Sequence, residues 1–117
     1  TYFNTRWLEE FVLEQVSEQS DVRHLILMCS AVNVIDASAL ESLEAINHRL
    51  KDSDVKLHLS EVKGPVMDAL ERSEFLDDLS GQIYLSQNEA FAALIAIANA
   101  EEASDDRNDP QMARGFI

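Results

Sequence analysis

Residues 25–41 read LILMCSAVNVIDASALE, an apolar run followed by a polar turn and the start of a helical pattern. The run Arg23–Cys29 is almost continuously apolar, which is typical of a strand buried on both faces of a parallel sheet. A helical stripe follows from Ser38. Its apolar positions are Ala39, Leu40, Leu43, Ile46 and Leu50. A buried strand that leads directly into an amphipathic helix is half of a β-α-β unit, so this stretch predicts an α/β fold.

Helices and strands alternate on both sides of this stretch. The patterns predict helices over 4–20, from Gly64-Pro65 onward and over 88–100, and strands over 55–59 and 83–85. Strands that alternate with helices imply right-handed crossovers and a mainly parallel sheet. Strand 55–59 alternates apolar and polar residues, so we expect His58 on its wetter face. In the first helix, Trp7 and Phe11 are expected to face the core.

Length and charge limit the class of protein. The chain has 117 residues with 22 acidic and 9 basic side chains, a net charge of −13. This length predicts one domain, over 1–100, followed by an acidic and disordered tail over 101–117. Affinity for a phosphate backbone depends on Lys and Arg, so the charge excludes a non-specific nucleic-acid binder. Cys29 has no second cysteine to pair with and is expected to be a packed thiol.

The start of the second helix holds the candidate site. Ser38 and Glu41 have the spacing of a capping box, in which the hydroxyl caps the helix and the glutamate reaches back. Asp36 is an alternative cap, and it would place an acid at the positive end of the helix dipole. A phosphoryl group on Ser38 would lie at the same helix terminus, beside the repelling Asp36, so the position could be switched.

The sequence contains no arrangement typical of an enzyme or a cofactor site. Among His24, His48 and His58, no pair has the i, i+4 spacing of a helical metal site, and Ser38 has no base indicated beyond Asp36. The three glycines form no phosphate-binding loop. We therefore predict a non-enzymatic protein without a metal or cofactor, and no residue pattern indicates a nucleotide as ligand.

Residues 25–41 resemble the signature of the STAS domain, which is shared by bacterial anti-sigma-factor antagonists and the tails of SulP-family anion transporters. Further stretches are similar to the SulP branch: YFN over 2–4, LSEVKGPVMDAL over 59–70, Arg72-Ser73 and IYLS over 83–86. The resemblance covers about residues 2–97. It implies a fold of βα units whose first strand or strands, before Tyr2-Phe3, are missing from this chain.

The resemblance also implies a switch region at the start of the second helix. Its members in this sequence are Asn33, Asp36, Ala37, Ser38, Ala39, Leu40 and Glu41. In the antagonists the serine of Asp-x-Ser is phosphorylated, and Ser38 occupies that position. Ala37 and Ala39 depart from the antagonist pattern, which often has serine and glycine there, so this loop has fewer hydroxyls and less backbone freedom.

The function implied is that of a cytoplasmic regulatory domain in a SulP-type secondary transporter for sulfate, bicarbonate or dicarboxylates, at a bacterial inner membrane. It would modulate transport, folding or assembly through protein contacts. The expected partners are the transporter's membrane domain and a cytosolic protein such as acyl carrier protein or a kinase-like regulator. The alternative is a stand-alone anti-sigma-factor antagonist that acts as a serine phospho-switch. A sheet edge left open by missing strands would also allow a homodimer.

Overall fold

The computed structural model describes residues 5–19 and 21–108, in which helices and parallel strands follow the predicted order, with one additional short helix before the last strand. The predicted strand end at Tyr2-Phe3 lies outside the described residues. The elements are α1 (Thr5–Glu18), β1 (His24–Met28), α2 (Ala37–Asp52), β2 (Lys56–Ser60), α3 (Gly64–Glu71), α4 (Phe75–Asp78), β3 (Ile83–Tyr84) and α5 (Gln87–Asn108).

The three described strands form one parallel sheet in the order β1-β2-β3. Leu27 pairs with Leu59, and Leu59 pairs with Ile83. Each crossover between parallel strands contains at least one helix, which confirms the predicted α/β fold. β2 is the central strand, and β1 is an edge strand among the described residues.

The main core lies on the sheet face that carries the leucines. Leu57 and Leu59 of β2 are buried there, and they pack with Leu50 of α2, Leu70 of α3 and Phe75 of α4. Burying a leucine or phenylalanine side chain completely stabilises the fold by about 1.5–3 kcal/mol. Because side chains alternate along a strand, the residues between these leucines face the other side of the sheet, where α5 contacts all three strands.

Two predictions about exposure of the strands are wrong. β1 is not buried on both faces: Leu25 and Leu27 are half-buried and Met28 is 53% exposed, because among the described residues β1 has a strand neighbour on one side only. His58 is not on a wetter face, since it is only 2% exposed. β2 is the central strand, so a polar position on it is covered by its neighbours as fully as an apolar one.

The prediction that Trp7 and Phe11 face the core is also wrong. Their side chains are 58% and 44% exposed, and their rings stack on each other with centroids 5.1 Å apart. Leu8 and Val12 are the buried residues of α1, and Val16 packs against the same core. The apolar stripe of α1 is wider than the core surface that the described residues form beneath it. The edge of the stripe that carries Trp7 and Phe11 is therefore exposed to solvent.

Helix α5 extends eight residues beyond the predicted boundary at Ala100, to Asn108. The stretch 101–108 contains neither glycine nor proline, and alanine and glutamate favour helix, which is why the helix continues into the acidic stretch. Residues 109–117 lie outside the described residues, and the division into a domain and a tail stays a prediction. Within the described part of the chain, none of the helices combines the length and apolarity required to cross a membrane.

Candidate functional site

The start of α2 is organised around Asp36. This residue is the N-cap, and its Oδ1 accepts the backbone N–H of Ala39 at 2.8 Å and the hydroxyl of Ser38 at 3.0 Å. These two donors lower the pKa of Asp36, because they stabilise the charged carboxylate. Of the two caps that the sequence left open, Asp36 is therefore the one used. The hydroxyl of Ser38 supports the cap instead of forming it.

The loop before α2 is held at several points and exposes its tip. Val32 and Ile35 pack against the core, and the Val32 N–H closes a turn onto the Cys29 carbonyl at 3.0 Å. The Lys63 ammonium at the start of α3 donates a hydrogen bond to Asn33 Oδ1. Between these anchors Val34 is 75% exposed. The loop thus presents an aliphatic side chain on a backbone fixed at both ends.

The structure brings only part of the predicted switch region together. Asp36, Ser38 and Ala39 form one hydrogen-bonded group, whereas Asn33 is turned toward Lys63. Ala39 is buried and Leu40 is half-buried, so these two side chains offer less surface to a partner protein than the exposed members of the switch region. The exposed members are Asn33, Asp36, Ala37, Ser38 and Glu41.

A second connection lies at the same edge of the sheet and was not predicted. Glu61 follows β2 with a φ of 56°, in the left-handed region that glycine favours. Its carboxylate accepts the backbone N–H of Gln87 at 2.7 Å, and the Gln87 side chain accepts the hydroxyl of Ser60. These contacts fix the start of α5 against the end of β2. Carboxyl ends of parallel strands are where α/β folds place their binding sites.

A pair of histidines, of which His58 is buried and His24 half-buried, was also missed by the sequence analysis. Nδ1 of His24 and Nε2 of His58 lie 3.0 Å apart, and Nδ1 of His58 accepts the backbone N–H of Gln82 at 3.0 Å. Burial, followed by the proximity of His24 and Lys56, lowers the pKa of His58 to about 4. The signal in the sequence was one histidine on each of two neighbouring strands, separated by 34 residues. The described residues hold no group of three side chains suited to a metal ion.

Cys29 is a packed thiol, as predicted. Its side chain is 5% exposed at the end of β1, and burial raises its pKa to about 11. At neutral pH the thiolate, which is the reactive form of cysteine, is therefore scarce.

Fold and site together define a small α/β domain in which an anchored loop leads into a capped helix at the carboxyl edge of a parallel sheet. The chain belongs to the STAS domain family, whose model matches residues 1–90. It is similar to "Sulfate transporter 3.1" of Arabidopsis thaliana, at 33% identity over 111 residues, which cover 90% of this chain and 17% of that protein. "Probable sulfate transporter 3.4" of Arabidopsis thaliana is 31% identical over 105 residues, covering 80% of this chain and 16% of that protein. The chain thus spans about a sixth of the length of these relatives.

Proposed function

We propose that this chain is the STAS portion of a SulP-type anion transporter and acts as its cytoplasmic, non-enzymatic regulatory domain. The similarity to two sulfate transporters supports this assignment over a stand-alone antagonist. Sulfate is accordingly the first anion to test. The partner surface that we assign to the domain is the loop over 30–36 with the start of α2, and its partner is the membrane-spanning part of the same transporter.

The observation that carries the proposal is the exposed Val34 on an anchored loop. An aliphatic side chain that is 75% exposed gains free energy when a partner covers it. Because Lys63 and the packed Val32 and Ile35 already order the loop, little conformational entropy is lost on contact. The loop is therefore a preorganised docking element.

Transport by the full-length protein tests this function. We would place Val34→Asp in the complete transporter, express it in cells that lack sulfate uptake, and measure uptake of labelled sulfate together with the amount of protein in the membrane. A charged side chain at a contact that excludes water is costly, so uptake per transporter should fall several-fold. Ile97→Asp is the control, since Ile97 is a partly exposed aliphatic residue on a different element, α5.

A photo-reactive residue at position 34 provides the second measurement. The proposal predicts a crosslink from position 34 to the membrane-spanning part and none from position 97. Unchanged uptake in Val34→Asp, together with equal crosslinking at the two positions, would overturn it. A crosslink only to a soluble protein such as acyl carrier protein would overturn the assigned partner.

Modification of Ser38 is a second candidate function, and the Ser38–Asp36 hydrogen bond favours it. The Ser38 hydroxyl is exposed, and it donates to the carboxylate that caps α2. Phosphorylation would remove this donor and add about two negative charges beside Asp36, which would weaken the cap. Mass spectrometry of protein from its native cell should then find phosphate on Ser38 and none on Ser42, which is buried on the same helix. A fully unmodified Ser38 peptide under all growth conditions would refute the switch.

A further inference from the structure

The pair formed by the half-buried His24 and the buried His58 connects three parts of the sheet. His58 lies on β2 and is 2% exposed. Its Nε2 contacts Nδ1 of His24 on β1, and its Nδ1 accepts the N–H of Gln82, in the segment that leads into β3. One imidazole therefore links β1, β2 and residues 80–82.

The hydrogen bonds determine where the ring protons are. A neutral imidazole has one N–H donor and one acceptor nitrogen. Because Nδ1 of His58 accepts from Gln82, the proton of His58 must be on Nε2, from which it is donated to Nδ1 of His24. His24 then carries its own proton on Nε2. A single backbone N–H thus sets the tautomer of both rings.

The same arrangement has no place for an additional proton. A proton on Nδ1 of His58 would face the Gln82 N–H, and a proton on Nδ1 of His24 would face the Nε2–H of His58. In both cases two donors point at each other and one of the two hydrogen bonds is lost, at a cost that burial increases. The lowered pKa of His58 agrees with this geometry.

The surrounding groups do not compensate an added positive charge. Two positive charges oppose protonation of His58: the one that His24 carries when it is itself protonated, and that of Lys56 on β2. From β3 the Tyr84 ring faces His58, with centroids 5.8 Å apart. The Glu61 carboxylate, which follows β2 and holds the Gln87 N–H, is not among the groups whose charge acts on His58.

We propose that the His24–His58 pair is a pH-sensitive joint, which adds to the hydrogen bonds between β1, β2 and residues 80–82 only while both rings are neutral. Residues 80–82 accept hydrogen bonds from backbone N–H groups of β2. Ser80 Oγ accepts the Leu57 N–H at 3.0 Å, and the Gln82 carbonyl accepts the Leu59 N–H at 3.0 Å. β3 itself has only two residues, so loosening of 80–82 in acid uncovers this edge of β2.

Unfolding by urea at pH 7 and pH 5 tests the joint. A group whose pKa falls from 6.5 in the unfolded chain to about 4 in the folded one contributes stability above pH 6.5, and this stability is lost as the pH falls toward 4. These two values predict that the folding equilibrium constant decreases about 20-fold between pH 7 and pH 5 on account of His58. His58→Asn offers Gln82 an amide oxygen and does not titrate, so this part of the decrease should disappear.

His48→Asn is the matched control, because His48 is an exposed histidine on α2. The folding equilibrium constant of His48→Asn should depend on pH as that of the wild type does. Equal pH dependence in wild type and His58→Asn would overturn the proposal.

Nitrogen chemical shifts of the wild-type imidazoles test the same proposal without relying on a variant that must fold. They should report an Nε2–H tautomer for His58 at pH 7, and the Gln82 amide should lose its hydrogen-bonded shift as the pair takes up a proton. Protonation of His58 near pH 6.5 with an unchanged Gln82 amide would contradict the joint.

Discussion

The hydroxyl of Ser38 donates to the same Asp36 oxygen that accepts the Ala39 N–H and caps α2. The cap and the candidate switch residue are thus two parts of one hydrogen-bonded group. Any change at Ser38 acts on the start of α2 through Asp36, and the two residues can be separated by substitution.

Replacing Asp36 by alanine removes the cap and leaves the first-turn N–H groups of α2 without this acceptor. Loss of an N-cap side chain typically lowers the folding equilibrium constant about fivefold. Ser38→Ala removes only a supporting hydrogen bond and should have a smaller effect. Urea unfolding of both variants at pH 7 measures the difference, and equal losses would contradict the role of Asp36 as the cap.

The cap should also weaken in acid. The folded-state pKa of Asp36 is lowered from 3.8, so its contribution to stability is present above pH 3.8 and is lost as the pH falls below it. The asparagine introduced by Asp36→Asn can cap the helix without titrating. The difference in thermal unfolding midpoint between the wild type and Asp36→Asn should therefore shrink as the pH is lowered from 5 to 3. A constant difference across that range would show that the carboxylate charge is irrelevant.

Gly81 is required because there is no space for a side chain at its position. A Cβ atom there would overlap the Leu57 carbonyl oxygen and lie 2.5 Å from Nδ1 of His58. Gly81→Ala should destabilise the fold by about 1–3 kcal/mol or more, since the backbone of β2 would have to move. A Cβ at Gly64 would meet nothing within 4 Å, so Gly64→Ala is the matched control. Denaturant midpoints compare the two, and equal tolerance would refute the close packing of residues 80–82 on β2.

Cys29 should react slowly with alkylating reagents in the folded protein. Its burial restricts access, and its pKa of about 11 leaves little thiolate at pH 8. Iodoacetamide at pH 8 should modify the folded chain at least tenfold more slowly than the chain in 8 M urea, as followed by mass spectrometry. The unfolded chain is the internal control, and similar rates in the two states would mean that β1 opens readily at its end.

The alternation of helices and strands was predictable because each element carries its own local pattern. The run before Cys29, the stripe after Ser38 and the Gly64-Pro65 break each identify an element without reference to the rest of the chain. Exposure was less predictable, since it depends on neighbours. His58 is covered because β2 is central, and no pattern within 55–59 contains that information.

The candidate site was predicted in part for the same reason. The group of Asp36 and Ser38 is local, and its residue types were sufficient to find it. The contacts of Asn33 with Lys63, of Glu61 with Gln87 and of His24 with His58 join residues 26 to 34 positions apart. Such contacts follow from strand order and register, which single-residue patterns do not specify.

The position of β1 has a consequence for solubility. Among the described residues β1 is an edge strand, and its five residues include no proline, lysine or acid of the kind that prevents strands of different molecules from pairing. Beside it, Phe91 and Ile95 of α5 are 54% and 57% exposed along an apolar groove. Mutual repulsion at a net charge of −13 opposes association of such molecules in solution. That repulsion vanishes near the pI of 4.4, so the isolated chain should be concentrated and stored well above this pH.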